Sequence, residues 1–404
     1  MQLLNNKNIL VGVTGSIAIY KTLELVRLYI KAGANVKIVM TKSAKKFITP
    51  LTFETISQTN IIDDENENWS KNSIDNHIAI GKWADIFIIA PLSVNTLNKL
   101  ANGIADNILS QIVLAYTNSI LISPAANTQM IYNPITQSNI QKLKLYNFKF
   151  IKTQSKELAC RDIGDGAMAD YEDIFHATIR ELYSEEYWNN RKVVLTGGGT
   201  IEKIDDIRYI SNFSSGKMAA SLATALYYKG ADVSLITTKD STIPKQIKTI
   251  LIQSTQEMYN FTQQELETSN RKKPYFFSVA AVSDYIPKSI QNGKIKKEEV
   301  GVSWDLSLKR NIDILEKIDK KSLYSVGFKA ETDINSAHKN ATSMLNKKRL
   351  DAVCLNIISD KNNFGSDTNE IEFITANQST MIQKDTKINV ALSIVNNLKE
   401  QFSE

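Results

Sequence analysis

The chain opens twice in the same way, and this repetition limits its fold more than any other feature. Asn8 to Val13 (NILVGV) is a short β-branched run ending in Thr14-Gly15-Ser16. A helical pattern follows through Tyr20, Leu23, Leu25, Leu28 and Tyr29 and stops at Ala32-Gly33. Val36 to Met40 (VKIVM) then reads as a second strand. About 185 residues further on, Lys192 to Leu195 (KVVL) ends in Thr196-Gly197-Gly198-Gly199-Thr200. After a longer loop come a helix over Lys217 to Lys229, Gly230, and the strand Val233 to Thr237 (VSLIT). Each run is a strand–helix–strand unit. Two such openings predict two Rossmann-like, three-layer α/β domains with mostly parallel sheets. The expected domains are 1–187 and 188–404, joined near Ser184 to Asn190 (SEEYWNN), a polar stretch read as a short helical connection.

The remaining strands repeat one design. Ala84 to Ala90, Ser119 to Ser123 and Pro274 to Val279 each end in small or polar residues. Tyr324 to Phe328 and Asp351 to Leu355 follow, and Glu370 to Thr375 reads as an edge strand. Ligands of open α/β sheets sit at the carboxyl ends of strands, so each half is expected to hold a site. Composition narrows the chemistry. Two Cys among 404 residues, with no CxxC, exclude a disulfide framework and argue against structural zinc. Three His leave few acid–base candidates. A net charge of +5 suits anionic ligands but does not argue for nucleic acid. No apolar run is long enough to span a membrane, and no leader is visible, so the expectation is a soluble, cytoplasmic protein.

In the first half, Gly15-Ser16 opens a helix after a strand, which suits an anion; the plainer alternative is a simple strand–helix turn. The pattern is not GxGxxG, and Thr41-Lys42-Ser43 stands where a dinucleotide site wants an acid for the ribose. Hydroxyls suit a phosphate or flavin mononucleotide (FMN) better. Ser93, Asn95 and Thr96 add small polar groups at another helix start. His77, Asn127 and Cys160 each admit a structural reading when taken alone. Together, GVTGSIAIYK, His77 with IAIGKWAD, APLSVNTLNKLANGIADNIL, PAANTQM and LACRDIGDG resemble the flavin-containing Cys decarboxylases, which include phosphopantothenoylcysteine decarboxylase. The resemblance implies a flavodoxin-like domain with FMN at Gly15, Ser16, Ser43, Ser93, Asn95, Thr96 and Ala125. It implies His77 as a catalytic residue, Asn127 as the contact to the substrate carboxylate or amide, and Cys160 as proton donor. Departures from the pattern are Ala126, Arg161 (usually Gly), and Ala167, where Gly-Arg-Met is common.

In the second half, three consecutive glycines permit close backbone approach to phosphate, although no P-loop is present. Ser214-Ser215-Gly216 opens the next helix, and Asn292-Gly293-Lys294 begins a basic turn. LTGGGTIEKIDDIRYISNFSSGKM, SVAAVSDYIP, NGKIKK, KRNIDIL, VGFKAET and the run from KKRLDAVC to EIEFIT are similar to the phosphopantothenate–cysteine ligase family. The implied substrates are 4′-phosphopantothenate, L-cysteine and CTP, with Mg2+ and an acyl-cytidylate intermediate. Asn212 is implied to position the acyl group. Gly198, Ser278, Ala280, Asp284, Lys294, Asn311, Ile312, Asp313, Ile314, Phe328 and Lys348 are implied nucleotide contacts; no metal ligands are implied. Departures here are Ile201, Met344 in place of a second Lys, and Lys329 in FKAET.

The order of the two halves implies a bifunctional enzyme: ligation in the second domain, then decarboxylation in the first. By resemblance it is a homo-oligomer, with trimers of the first domain, dimers of the second, and a dodecamer for the fusion. The alternatives are a flavin-binding regulatory protein or a ligase with a catalytically impaired decarboxylase half, and an unrelated NAD(P)-dependent oxidoreductase. The last is disfavoured because neither half carries a dinucleotide fingerprint. His176, His338 and Cys354 are left as structural residues.

Overall fold

A computed structural model describes residues 2–70, 76–157, 163–267, 272–296, 301–358 and 365–403. The chain divides into two compact units, Met1–Leu182 and Tyr183–Glu404. The segment expected as a connection belongs to the second unit. Its Trp188 is fully buried, edge-on to Tyr187 and tilted against Tyr275. Asn190 N–H donates to Gly230 O at 3.0 Å. Burial of the indole ties this polar stretch to the second unit.

In the first unit five parallel strands run in the order Asn35–Met40, Asn8–Val13, Ile86–Leu92, Ile120–Pro124, Phe148–Phe150. Strand order reverses between Asn8–Val13 and Ile86–Leu92, the switch point of a flavodoxin-like sheet. The central strands are buried, apart from partly buried Asn8, because helices cover both faces. Helix Ile19–Lys31 returns the chain, and Gly33 at φ +92° makes the turn into the next strand. Helices Val94–Ala101 and Ile108–Ala115 pack Leu97, Leu100, Leu109 and Ile112 against Phe87 and Ile89.

The second unit has eight strands in the order Lys248–Leu251, Asp232–Thr237, Lys192–Gly197, Tyr275–Ser278, Tyr324–Glu331, Ala352–Ile357, Thr368–Thr375, Ser379–Thr386. The first six are parallel. The last two add antiparallel. Its switch point lies between Lys192–Gly197 and Tyr275–Ser278. The expected edge strand near Glu370 is not at the edge. Ser379–Thr386, whose alternating polar residues hid it in the sequence, covers it as a hairpin partner. Cys354 is wholly buried on Ala352–Ile357, and burial pushes its thiol pKa up, as befits an inert core residue. Burial also lowers the pKa of His176. His338 faces solvent and pairs with Glu372 at 2.9 Å.

A buried charge cluster ties helix Thr255–Leu266 to this sheet. Glu265 is 2% exposed. It accepts from Lys192 Nζ at 3.1 Å, Ser234 Oγ at 2.7 Å and Lys248 Nζ at 2.5 Å. Burial alone favours the neutral acid; the bonds from Lys248, Ser234 and Lys192 outweigh it and bring the pKa down to about 2. The folded-state value is depressed, so this contribution is present above the ordinary carboxyl pKa of 4.5 and is lost as pH falls towards 2. Glu265→Gln leaves buried Lys192 with only the longer, exposed pairing to Asp232 at 3.7 Å and is expected to cost about 3–5 kcal/mol. Urea unfolding at neutral pH measures that loss. Repeated between pH 5 and pH 2, it should give a flatter pH dependence for the variant than for the parent.

Candidate active sites at the two switch points

The first site is assembled by Thr14, at the end of the first strand. Its hydroxyl donates to Pro91 O at 2.7 Å and accepts from Ser93 N–H at 2.8 Å. This joins the ends of the two strands flanking the switch point. Ser93 is thereby placed as N-cap of Val94–Ala101, where its Oγ accepts from Thr96 N–H at 3.3 Å. Gly15 is required where it stands, because a Cβ there would lie 2.6 Å from Ser43 Cβ. The result is a cavity of about 550 Å³ whose walls include Gly15, Ser16, Ser43, Ser93, Asn95, Thr96 and Ala125. All seven residues implied for FMN stand on it. Its hydroxyls and amides are the donor set that a phosphate and a flavin ring edge need, so the residues present fit the group. Sequence reasoning missed Lys42, Asp64, Lys99 and Asp106, which share the wall. Lys99 and Asp106 lie within the run APLSVNTLNKLANGIADNIL, where nothing local marks their pairing across a turn.

Asn127 lines a second cavity of about 510 Å³, which shares Ser16, Ala125 and Ala126 with the first. Its Oδ1 also accepts from Gln129 N–H at 2.8 Å, capping the short helix that follows. His77 lines neither cavity in the single chain. It begins helix His77–Trp83, its Nδ1 lies 2.8 Å from Glu67 Oε1, and Trp69 meets its ring edge at 4.8 Å. A carboxylate at Nδ1 selects the tautomer with Nε2 as acceptor. Glu67 and Trp69 were not foreseen; their only sequence signal is an acid and an aromatic ten and eight residues upstream. Cys160 and Arg161 lie outside the described residues.

The second site is a cavity of about 390 Å³ at the other switch point. Gly198, Asn212, Ser278, Ala280, Asp284, Asn311, Ile312, Asp313, Ile314, Phe328 and Lys348 all line it. Gly198, at φ +77°, is needed for close approach: a Cβ would lie 2.2 Å from Thr238 Oγ1. Lys348 Nζ pairs with Asp313 Oδ2 at 2.6 Å, and Asp313 caps the turn Ile314–Lys317. Lys294 is not brought to this cavity. It sits on an exposed segment whose neighbours are pinned to another loop: Gly293 N–H donates to Asp206 at 2.9 Å and Ile295 N–H to Asp205 at 3.2 Å.

Two implied contacts already use their amides within the fold. Asn212 Nδ2 donates to Val282 O at 2.9 Å. Asn311 Nδ2 donates to Thr255 Oγ1 at 2.9 Å and Ser283 O at 2.8 Å, while its Oδ1 accepts from Ile312 N–H at 2.8 Å. Asn311 therefore shapes the wall. Beneath it, Thr255 Oγ1 donates to Glu202 at 2.6 Å and lies 3.1 Å from Thr200 Oγ1. Thr200 Oγ1 in turn accepts from Ser283 N–H at 3.1 Å. Sequence reading missed Thr200, Glu202 and Thr255, because the side chains meet only after the sheet has formed. Among the described residues no group of three or more His, Cys, Asp or Glu stands close enough to hold a metal ion. Nor, among them, is any helix long and apolar enough to cross a membrane.

Two switch-point cavities, one in a flavodoxin-order sheet and one in a Rossmann-order sheet, define a tandem α/β protein with a candidate ligand site in each half. Comparison with known proteins gives the family. The Flavoprotein family matches residues 1–183, and the DNA/pantothenate metabolism flavoprotein C-terminal domain matches 188–402. The coenzyme A biosynthesis bifunctional protein CoaBC of Haemophilus influenzae is 36% identical, covering 99% of this chain and 99% of that protein. The protein of the same name from Borreliella burgdorferi is 37% identical over 96% of this chain and 98% of its own length. That from Bacillus subtilis is 36% identical over 91% and 90%. The chain belongs to the CoaBC family of bifunctional coenzyme A biosynthesis proteins.

The buried hydroxyl of Thr255 is the joint of the second site. Thr255→Val is expected to cost about 1–3 kcal/mol by leaving Glu202 and Asn311 short of a partner. Thr255→Ser should keep most of that stability. Denaturant unfolding separates the two variants.

Proposed function

We propose that the protein catalyses two steps of coenzyme A biosynthesis. The second domain joins 4′-phosphopantothenate to L-cysteine with CTP. The first decarboxylates the resulting phosphopantothenoylcysteine to 4′-phosphopantetheine with FMN. The observation that carries this reading is the placement of every residue implied for FMN, and all but one implied for the nucleotide, on two separate switch-point cavities. Relatives matched along both halves support it. An impaired first half, raised by Ala126, Arg161 and Ala167, has no observation in its favour.

Amide formation from a free carboxylate lacks a good leaving group, so the ligase activates the acid as an acyl-cytidylate before cysteine attacks. Asp284 and the Asn311–Ile314 wall orient the nucleotide, Lys348 faces its phosphates, and Asn212 positions the acyl group. Lys294 joins only if its segment moves, since it lies off the cavity. The Mg2+ implied by resemblance finds no protein-built seat among the described residues, and no residue is assigned to it.

In the first domain, bound FMN would take an electron pair from the substrate thiol, which makes loss of CO2 feasible, and would return that pair to the product, so the overall decarboxylation is redox-neutral. Ser16, Ser43, Ser93, Asn95 and Thr96 hold its polar edge and phosphate. Asn127 takes the substrate carboxylate or amide from the adjoining cavity. His77, with its tautomer set by Glu67, acts in proton transfer, and Cys160 returns a proton to the product carbon. The same reading places the protein in the cytoplasm as a homo-oligomer, a dodecamer by resemblance.

Phosphopantothenate, cysteine, CTP and Mg2+ supplied together should yield CMP, CO2 and 4′-phosphopantetheine. CMP without CO2 sinks the decarboxylase half, and no CMP with CTP or ATP sinks the ligase half. Cys160→Ser should stall after CO2 release; full turnover by that variant refutes the proton-donor role. Lys348→Ala should raise the KM for CTP about 10- to 100-fold through loss of a charge-assisted contact. Steady-state kinetics at saturating cysteine reads that change.

A further inference from the structure

The cavity beside the flavin pocket carries a charge arrangement that the two reactions as written leave unused. Lys21 and Lys156 both line it, together with Tyr20, Asn127 and Ala167. Their ammonium groups share one carboxylate oxygen, Asp170 Oδ1, at 3.2 Å and 3.5 Å. Lys21 also donates to Met168 O at 3.1 Å, and Lys156 to Gln154 Oε1 at 3.0 Å. Glu157 is on the rim and exposed. Burial of Lys21, and then the nearby Lys156, push the Lys21 pKa down, as expected where two cations crowd one counter-charge. An incoming anion relieves that crowding.

The position of this pair selects the kind of anion. Ser16, Ala125 and Ala126 are common to both cavities, so a ligand reacting at the flavin can extend its far end towards the lysines. The strand Gln154–Glu157 pairs antiparallel with Ile163–Ala167. Ala167 thus stands on the same wall at a position where the resembling decarboxylases commonly carry Arg, and the positive charge of this wall comes from Lys156 on the neighbouring strand. A phosphate monoester offers close to two negative charges and three acceptor oxygens, which matches two ammonium groups better than a carboxylate does.

We propose that Lys156 and Lys21 bind the phosphate monoester of the decarboxylase substrate and set the preference for phosphorylated over dephosphorylated substrate. This rests on the decarboxylase reading of the first domain. The test uses the full-length, flavin-loaded protein with phosphopantothenoylcysteine and pantothenoylcysteine. Affinities by calorimetry and KM for CO2 release should favour the phosphorylated form about 10- to 100-fold. In Lys156→Met, whose side chain is half-exposed and tolerant of change, that ratio should fall towards one, and Lys156→Arg should restore much of it. A folded Lys156→Met protein with an unchanged ratio overturns the inference. Loss of bound flavin with the ratio kept assigns the lysines to the cofactor's phosphate and also overturns it. If the parent protein releases no CO2 from either compound, the decarboxylase reading fails, while the ratio of affinities still decides the role of Lys156.

Discussion

Both sites depend on one topological constraint. Where strand order reverses, the connections after two adjacent parallel strands leave on opposite faces of the sheet, and a crevice opens between them. In the first unit this happens between Asn8–Val13 and Ile86–Leu92, and in the second between Lys192–Gly197 and Tyr275–Ser278. The loops at those ends cannot pack as tightly as the strands beneath them. Small residues and glycines at Gly15, Ala125, Gly198 and Ala280 keep the space open.

An open crevice needs a satisfied floor, because unpaired backbone groups under a cavity are costly. Each unit meets this with threonine. Thr14 bridges the two strand ends of the first switch point with one donated and one accepted bond. Thr200 and Thr255 do so in the second, with Glu202 and Asn311 completing the network. A single hydroxyl both donates and accepts, which lets it join two chain segments without introducing a charge. The charged groups stand higher, on the walls: Lys348 with Asp313, and Lys21 and Lys156 with Asp170.

Much of this was legible before folding was considered. The β-branched runs ending in Gly, Ser, Thr or Asn predicted both parallel sheets and the ends at which ligands bind. Ser93 directly follows Ile86–Leu92 and Asn127 lies three residues after Ile120–Pro124, so placing the strand places the residue. Lys294 departs from this rule. It lies in a turn far from any sheet strand, held by Asp205 and Asp206, and local sequence does not say where such a turn docks. Local sequence likewise does not show that Trp188 is buried or that Ser379–Thr386 pairs as a strand; one buried indole decides the first and hairpin pairing the second.

By itself the sequence determined two α/β domains, their order, the strands, and strand-end residues that line the two cavities. These follow from hydrophobic period, glycine placement and short motifs, all of which act over a few residues. The tertiary structure alone decided which distant side chains share a site. Glu67 meets His77, Thr255 meets Thr200 and Asn311, and Lys21 meets Lys156 and Asp170. The physical reason is reach. A hydrogen bond or ion pair acts over about 3–4 Å, and only the closed sheet brings groups that are far apart along the chain within that distance.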